Sequence, residues 1–89
     1  MAITHTLVRV AVPVPLAEGF DYRVPPGMAT PTLGCRVRVP FGRGERIGVV
    51  VDQPSSTPLA ERQLNSIGAV LDTAPAIGPE LLATLRSAA

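Results

Sequence analysis

Hydrophobic and polar residues alternate along several short stretches of the chain, which is the pattern of half-buried β-strands. The clearest case is residues 34–41, where a cysteine and two valines share one face and Arg36 and Arg38 share the other. We expect the first face to pack in a core and the second to be hydrated and positively charged. Alternation and β-branched residues predict further strands at 5–12, 20–24 and 45–52. Residues 64–72 fit either a strand or a helix, and Gly68 disfavours a helix interior, so a strand is predicted at 67–71.

Turn signals separate these strands. Pro25-Pro26-Gly27 closes the second strand, and Gly42-Arg43-Gly44 joins 34–41 to 45–52 as a predicted hairpin. Pro40 predicts that the third strand ends at an edge or a bulge, because proline has no N–H to donate to a neighbouring strand.

The last predicted element is a helix that begins near Pro79. Proline suits the first helical position, Glu80 suits the positive end of the helix dipole, and Arg86 suits the other end. Leu81 and Leu85 are expected to share a face. Short antiparallel strands followed by one helix predict a mainly β fold, a small antiparallel barrel of the OB-like or SH3-like kind with a short C-terminal helix.

Length and composition exclude several classes of protein. The chain has 89 residues, which suits one small domain. One cysteine and one histidine cannot form an internal disulfide or a structural zinc site with several Cys and His ligands. Apolar runs are too short to span a membrane and the N-terminus lacks the layout of a signal peptide, so we predict a cytoplasmic protein without membrane contact.

The basic residues are all arginine, and four of them lie close together in the sequence. These four are Arg36, Arg38, Arg43 and Arg46. They either decorate a solvated sheet face or form an anion-binding strip, since guanidinium forks match phosphate oxygens in pairs. Composition alone leaves both interpretations open.

The sequence offers little for catalysis. His5 is expected to be a polar residue at a strand end, and Cys35 a buried, unreactive thiol. Gly42-Arg43-Gly44 lacks the length and the Lys-Ser/Thr ending of a nucleotide-binding P-loop. We therefore predict no catalytic residues, no metal site and no cofactor in this chain.

Two of the aromatic residues flank an acid. Phe20 and Tyr22 share one face of the predicted second strand and are expected to fill the core, while Asp21 points to the opposite face. Asp21 is either a surface carboxylate, alone or paired with a nearby arginine, or a specific hydrogen-bond acceptor inside a positive groove.

Several segments, taken in order, resemble one known family. The chain is similar to the N-terminal domain of the PriA family of primosomal replication-restart helicases over residues 8–16, 20–25, 34–43, 45–51 and 67–72. The resemblance implies an OB-like, non-catalytic domain that binds the 3′ end of the nascent leading strand at stalled replication forks. It also implies that residues 1–72 form this barrel, and that 73–89 form a connector and the start of a helix leading to helicase domains outside the chain.

The same resemblance implies the partners of the domain and of the full-length family. The domain would bind single-stranded and forked DNA with a free 3′-OH. The full-length family comprises ATP-dependent 3′–5′ DNA helicases, whose ATP and zinc sites would lie in the missing domains. Single-stranded DNA-binding protein and other primosome proteins would be their partners, in the bacterial cytoplasm near the nucleoid.

The resemblance also implies a pocket for the 3′-terminal nucleotide. It would be formed by Phe20, Asp21, Tyr22, Phe41 and Gly42. An ionised Asp21 can only accept hydrogen bonds, so it would recognise a free 3′-OH, which is a donor. Gly42 has no side chain and would let the nucleotide approach the backbone closely.

The four clustered arginines would then bind adjacent phosphates, which makes DNA binding dependent on salt. Some members of the family have a lysine where this chain has Asn65, so Arg62 or Arg43 is expected to supply that charge. The alternative to a DNA-binding domain is a small β-barrel protein-interaction module whose arginines bind an acidic partner.

Overall fold

The computed structural model describes residues 6–13, 17–60 and 63–88. Within these ranges the strands are β1 (Leu7–Pro13), β2 (Ala17–Arg23), β3 (Arg36–Phe41), β4 (Gly44–Asp52) and β5 (Ala69–Val70), and the helix is α1 (Pro79–Ala88). The strands form one antiparallel sheet in the order β2-β1-β4-β3-β5. The predicted fold class, a small and mainly β OB-like fold with a short C-terminal helix, is confirmed.

The β3–β4 hairpin forms where the sequence predicts it. Its ladder ends with Phe41 opposite Gly44, so that Gly42 and Arg43 make a two-residue turn. Gly42 has a φ of +61°, the value that the first position of a type II′ hairpin turn requires and that residues with a Cβ rarely adopt.

The segment that precedes β5 closes the sheet into a barrel. The N–H of Ile67 donates to the carbonyl of Arg23 at 3.0 Å, and the N–H of Gly68 donates to the carbonyl of Arg38 at 2.7 Å. The segment therefore passes from β2 to β3. The next residue of β3 whose main chain faces this segment is Pro40. Proline has no N–H to donate, so the pairing stops there and the barrel is open beyond it.

Valine fills most of the interior, as the alternation predicts. The buried cluster consists of Val8, Val10, Val12, Tyr22, Val24, Val37, Val39, Val50 and Ile67. Cys35 is also buried, with its sulfur 3.2 Å from the Thr32 hydroxyl, while Arg36 and Arg38 on the other face of the hairpin are exposed. The predicted division of β3 into a core face and a hydrated face is confirmed.

β1 and β4 pack closely at Gly48. A Cβ added to Gly48 would lie against Cγ1 of Val10 and 2.7 Å from the carbonyl oxygen of Ala11. A glycine inside a strand often marks such a close approach of a second backbone. The position has no room for a side chain.

Helix α1 begins at Pro79, as predicted, and contacts β2 and β4. Its half-buried leucines are Leu82 and Leu85, whereas Leu81 is 51% exposed. The packed side of the helix therefore includes Leu82 and Leu85, which are three residues apart, while Leu81, four residues before Leu85, lies largely in solvent.

Asp72 fixes the chain after β5 to the start of β3. Its carboxylate accepts the main-chain N–H of Arg36 at 2.9 Å, and its two oxygens accept Nε and Nη2 of the same arginine at 3.0 and 2.9 Å. These hydrogen bonds, the side-chain ones first, lower the pKa of Asp72. Arg36 therefore holds the carboxylate in its charged form.

We expect the ion pair between Asp72 and Arg36 to make the stability of the fold depend on pH. Because the pKa of Asp72 is lower in the folded state, its contribution is present above the unfolded pKa of roughly 3.9 and is lost as the pH falls through the folded value. Asp72→Asn should lower the melting temperature at pH 7, and its difference from the wild type should shrink progressively as the pH falls below about 3.9. Arg36→Gln should do the same; a constant difference across this pH range would contradict the assignment.

Candidate nucleic-acid interface

Three aromatic side chains meet at the open end of the barrel. We call this end the aromatic mouth and define it by Phe20, Tyr22, Pro40 and Phe41. The ring centroids of Phe20 and Phe41 are 5.2 Å apart with an angle of 74° between the rings, the favourable edge-to-face arrangement. Both rings are half-buried, so each presents part of its surface to solvent.

Tyr22 holds the two sides of the mouth at a fixed separation. Its hydroxyl donates to the carbonyl oxygen of Pro40 at 3.0 Å. That carbonyl is available because β5 pairs with β3 only at Val37 and Arg38. Burial raises the pKa of Tyr22, so its hydroxyl remains a neutral donor under ordinary conditions.

The β3–β4 turn forms one rim of the mouth. Nothing lies within 4 Å of the position that a Cβ on Gly42 would take, so the backbone of this turn is accessible. Arg46 is opposite Val39 in the ladder and therefore shares the face that carries Phe41. Its Nη1 donates to the carbonyl of Glu45 at 3.0 Å, and the guanidinium remains exposed.

The other three arginines of the predicted strip lie elsewhere on the hairpin. Arg43 is at the turn, and Arg36 and Arg38 point from the outer face of β3. Arg36 is already held by Asp72. In the described part of the chain, no carboxylate is within ion-pair distance of Arg38, Arg43 or Arg46. The arginines thus form separate positive groups rather than one strip.

Asp21 lies on the outer face of β2, on the side opposite to Phe20 and Tyr22. Its carboxylate accepts Nε of Arg9 at 2.9 Å, with Nη2 at 3.5 Å. Only 7% of the Asp21 side chain is exposed, against 36% of that of Arg9. The hydrogen bond to Asp21 raises the pKa of Arg9. The structure shows the predicted pairing with a nearby arginine and does not place Asp21 among the rings.

Two arginines on β1 and β2 were not singled out by the sequence. Arg9 is one, and only the pairing of β1 with β2 reveals its contact with Asp21. Arg23 is the other. Its Nη2 donates to the carbonyl oxygen of Leu64 at 2.5 Å, and its main-chain N–H donates to the main-chain carbonyl oxygen of Asn65 at 2.8 Å. A guanidinium therefore lies beside the position where some family members have a lysine.

Some predictions fall on residues whose structure is not described. His5 and Arg62 lie outside the described residues. Within residues 6–13, 17–60 and 63–88, no helix is long and apolar enough to cross a membrane. No group of three or more His, Cys, Asp or Glu side chains in those ranges could hold a metal ion.

Comparison with known proteins identifies the family. A family model described as the 3′DNA-binding domain (3′BD) of PriA matches residues 9–89. Replication restart protein PriA of Haemophilus influenzae is 42% identical over 73 residues, which cover 82% of this chain and 10% of that protein. The chain thus spans about a tenth of that relative, and the matched part is a DNA-binding domain rather than a catalytic motor. This chain belongs to the family of PriA 3′DNA-binding domains.

Proposed function

We propose that this domain recognises the 3′ end of a DNA strand, in particular the nascent leading strand at a stalled replication fork. The observation that carries the proposal is the match of residues 9–89 to a family described by its binding of 3′ DNA. By the same reasoning, we infer that the domain directs a longer ATP-dependent helicase to such ends in the bacterial cytoplasm. Single-stranded DNA-binding protein and primosome proteins would be partners of that longer protein.

The aromatic mouth supports binding of a terminal nucleotide. Phe20 and Phe41 present partly exposed rings, and every base has a face that can stack on such a ring regardless of its sequence. Arg43 and Arg46 lie at the rim without a carboxylate partner in the described ranges, so they are available to DNA phosphates. Recognition without sequence preference suits a protein that acts wherever a fork stops.

Asp21 supports recognition of the hydroxyl itself. β2 is an edge strand, so a nucleotide stacked on Phe20 can reach around this edge to the neighbouring residue on the outer face. A carboxylate has about four lone-pair sites, and the two contacts from Arg9 leave others for a 3′-OH donor. A hydrogen bond to a charged group contributes about 1.5–3 kcal/mol, or roughly ten- to a hundredfold in affinity.

The test compares DNA strands that differ only in their ends. We expect a linear single strand with a 3′-OH to bind at least about tenfold more tightly than a closed circle of the same length. A 3′-dideoxy end, which lacks the hydroxyl but has the same charge, should bind about as weakly as the circle. Asp21→Asn should reduce the difference between the two linear strands. Equal binding of circle and 3′-OH strand, measured by fluorescence anisotropy, would refute end recognition.

A second candidate function rests on the outer face of the β3–β4 hairpin. Ile47 is 49% exposed there and lies opposite the exposed Arg38 in the ladder. An apolar side chain beside a cation suits a protein partner with acidic and apolar residues. Absence of binding to any single-stranded DNA at low salt would favour this protein-interaction module over the DNA-binding domain.

A further inference from the structure

Arg23 is held in place where the segment that precedes β5 joins β2. Its main-chain N–H donates to the carbonyl oxygen of Asn65 at 2.8 Å, and its own carbonyl oxygen accepts the N–H of Ile67 at 3.0 Å. Its Nη2 donates to the carbonyl oxygen of Leu64, so the half-buried side chain is fixed as well. The guanidinium is therefore positioned before any ligand binds, and little side-chain entropy remains to be lost on binding.

The guanidinium of Arg23 lacks a negative partner. Throughout residues 6–13, 17–60 and 63–88, no carboxylate lies within ion-pair distance of it. Its Nε is the one buried side-chain nitrogen or oxygen of these ranges without a hydrogen-bond partner. Nη1 makes no hydrogen bond within them either, and because it is not buried, solvent reaches it. Holding a half-buried charge without a counter-charge costs free energy, which an anionic ligand would offset.

We propose that Arg23 binds the phosphate that joins the 3′-terminal nucleotide to the rest of its strand. The inference rests on the proposed function, since that function places the terminal nucleotide at Phe20 and Asp21. Arg23 lies two residues after Asp21 on the same face of β2, about 6.8 Å further along the strand. A terminal sugar beside Asp21 brings its 5′-phosphate within reach of the Arg23 side chain, whose N–H groups match phosphate oxygens.

This contact would also set the direction in which the DNA leaves the domain. The last nucleotide lies at Asp21, and the strand continues past Arg23 towards Asn65, at the end of β2 where the barrel is closed. It does not continue towards Ala17, where β2 begins. A single unpaired guanidinium thus orients the strand on a surface that reads no base sequence.

The experiment compares two single strands that both end in a 3′-OH. One has natural phosphates throughout, and in the other the last internucleotide linkage is a neutral methylphosphonate. The wild type should bind the neutral-linkage strand about three- to tenfold more weakly at low salt. In Arg23→Gln the two strands should bind equally, because the charge that distinguishes them has lost its partner.

Arg86→Gln is the matched control, because it removes the same charge from a half-exposed arginine of α1. It should retain the difference between the two strands that the wild type shows. Arg23→Lys keeps the charge and a donor for the Leu64 carbonyl, so it should retain most of that difference. An unchanged ratio of affinities in Arg23→Gln, or an equal loss of the ratio in Arg86→Gln, would overturn the role of Arg23.

A measurement on the wild type applies even where Arg23→Gln does not fold. In NMR spectra of the arginine side chains, the Nε–H signal of Arg23 should shift when the natural strand binds and shift much less with the neutral-linkage strand. Equal shifts with both strands would contradict the phosphate contact. The comparison of a 3′-OH strand with a circle tests the proposed function separately. A domain that prefers the 3′-OH strand over the circle but binds both linkages equally would retain the function and lose this inference.

Discussion

Gly48→Ala is expected to lower the free energy of unfolding by about 3 kcal/mol, the upper part of the range for an overpacked interior. The added methyl group would lie against Val10 and 2.7 Å from the carbonyl oxygen of Ala11, which belongs to a backbone that cannot move independently of the ladder. β1 would have to separate from β4, and β1 also pairs with β2 along its whole length. For a domain of this size the melting temperature should fall by roughly 10–25 °C.

Gly44→Ala is the matched control for this substitution. Gly44 lies in the same strand, and a Cβ there would have only Nη1 of Arg46 within 4 Å, at 3.9 Å. Its melting temperature should stay within a few degrees of the wild type. Thermal unfolding followed by circular dichroism measures both variants, and a Gly48→Ala protein as stable as Gly44→Ala would contradict the close approach of β1 and β4.

Phe41→Leu is expected to weaken binding to a 3′-OH single strand by roughly five- to a hundredfold, because base stacking on an aromatic side chain contributes about 1–3 kcal/mol per base. Leucine retains most of the apolar contact that Phe41 makes with the core, so the domain should remain folded. The substitution also removes the edge-to-face partner of Phe20, so the pair of rings on which a base could stack is lost.

Ile47→Ala is the control for this second substitution. Ile47 is a neighbouring exposed apolar residue on the same hairpin but on the outer face, away from the mouth. Its DNA affinity should change by less than about twofold, as for a surface position without a contact to the ligand. If fluorescence anisotropy gives Phe41→Leu and Ile47→Ala the same affinity, the aromatic mouth does not hold the terminal base.

Local patterns predicted those features that depend only on neighbouring residues. Alternation assigned the buried and exposed faces of β3 correctly, since successive side chains of a strand point to opposite sides. The turn at 42–44 and the start of α1 at Pro79 follow from backbone preferences of glycine and proline. The same alternation placed Asp21 on the face of β2 opposite to that of Phe20 and Tyr22.

Features that depend on the register of distant strands could not be predicted. The contact of Arg9 with Asp21 exists because these residues are opposite each other in the β1–β2 ladder. β5 is limited to Ala69–Val70, shorter than the predicted 67–71, because the residues before it change partner from β2 to β3. β2 begins at Ala17, earlier than the predicted residue 20, because β1 provides a partner as far as Pro13.

The proline at the end of β3 has a consequence for how copies of the domain behave in concentrated solution. The unpaired main-chain groups of an open sheet edge can pair with a strand of another molecule, which is a common first step of aggregation. Here Pro40 has no N–H to offer, and the Tyr22 hydroxyl already occupies its carbonyl. At this point β3 therefore has neither a free N–H nor a free carbonyl with which a strand of another molecule could pair.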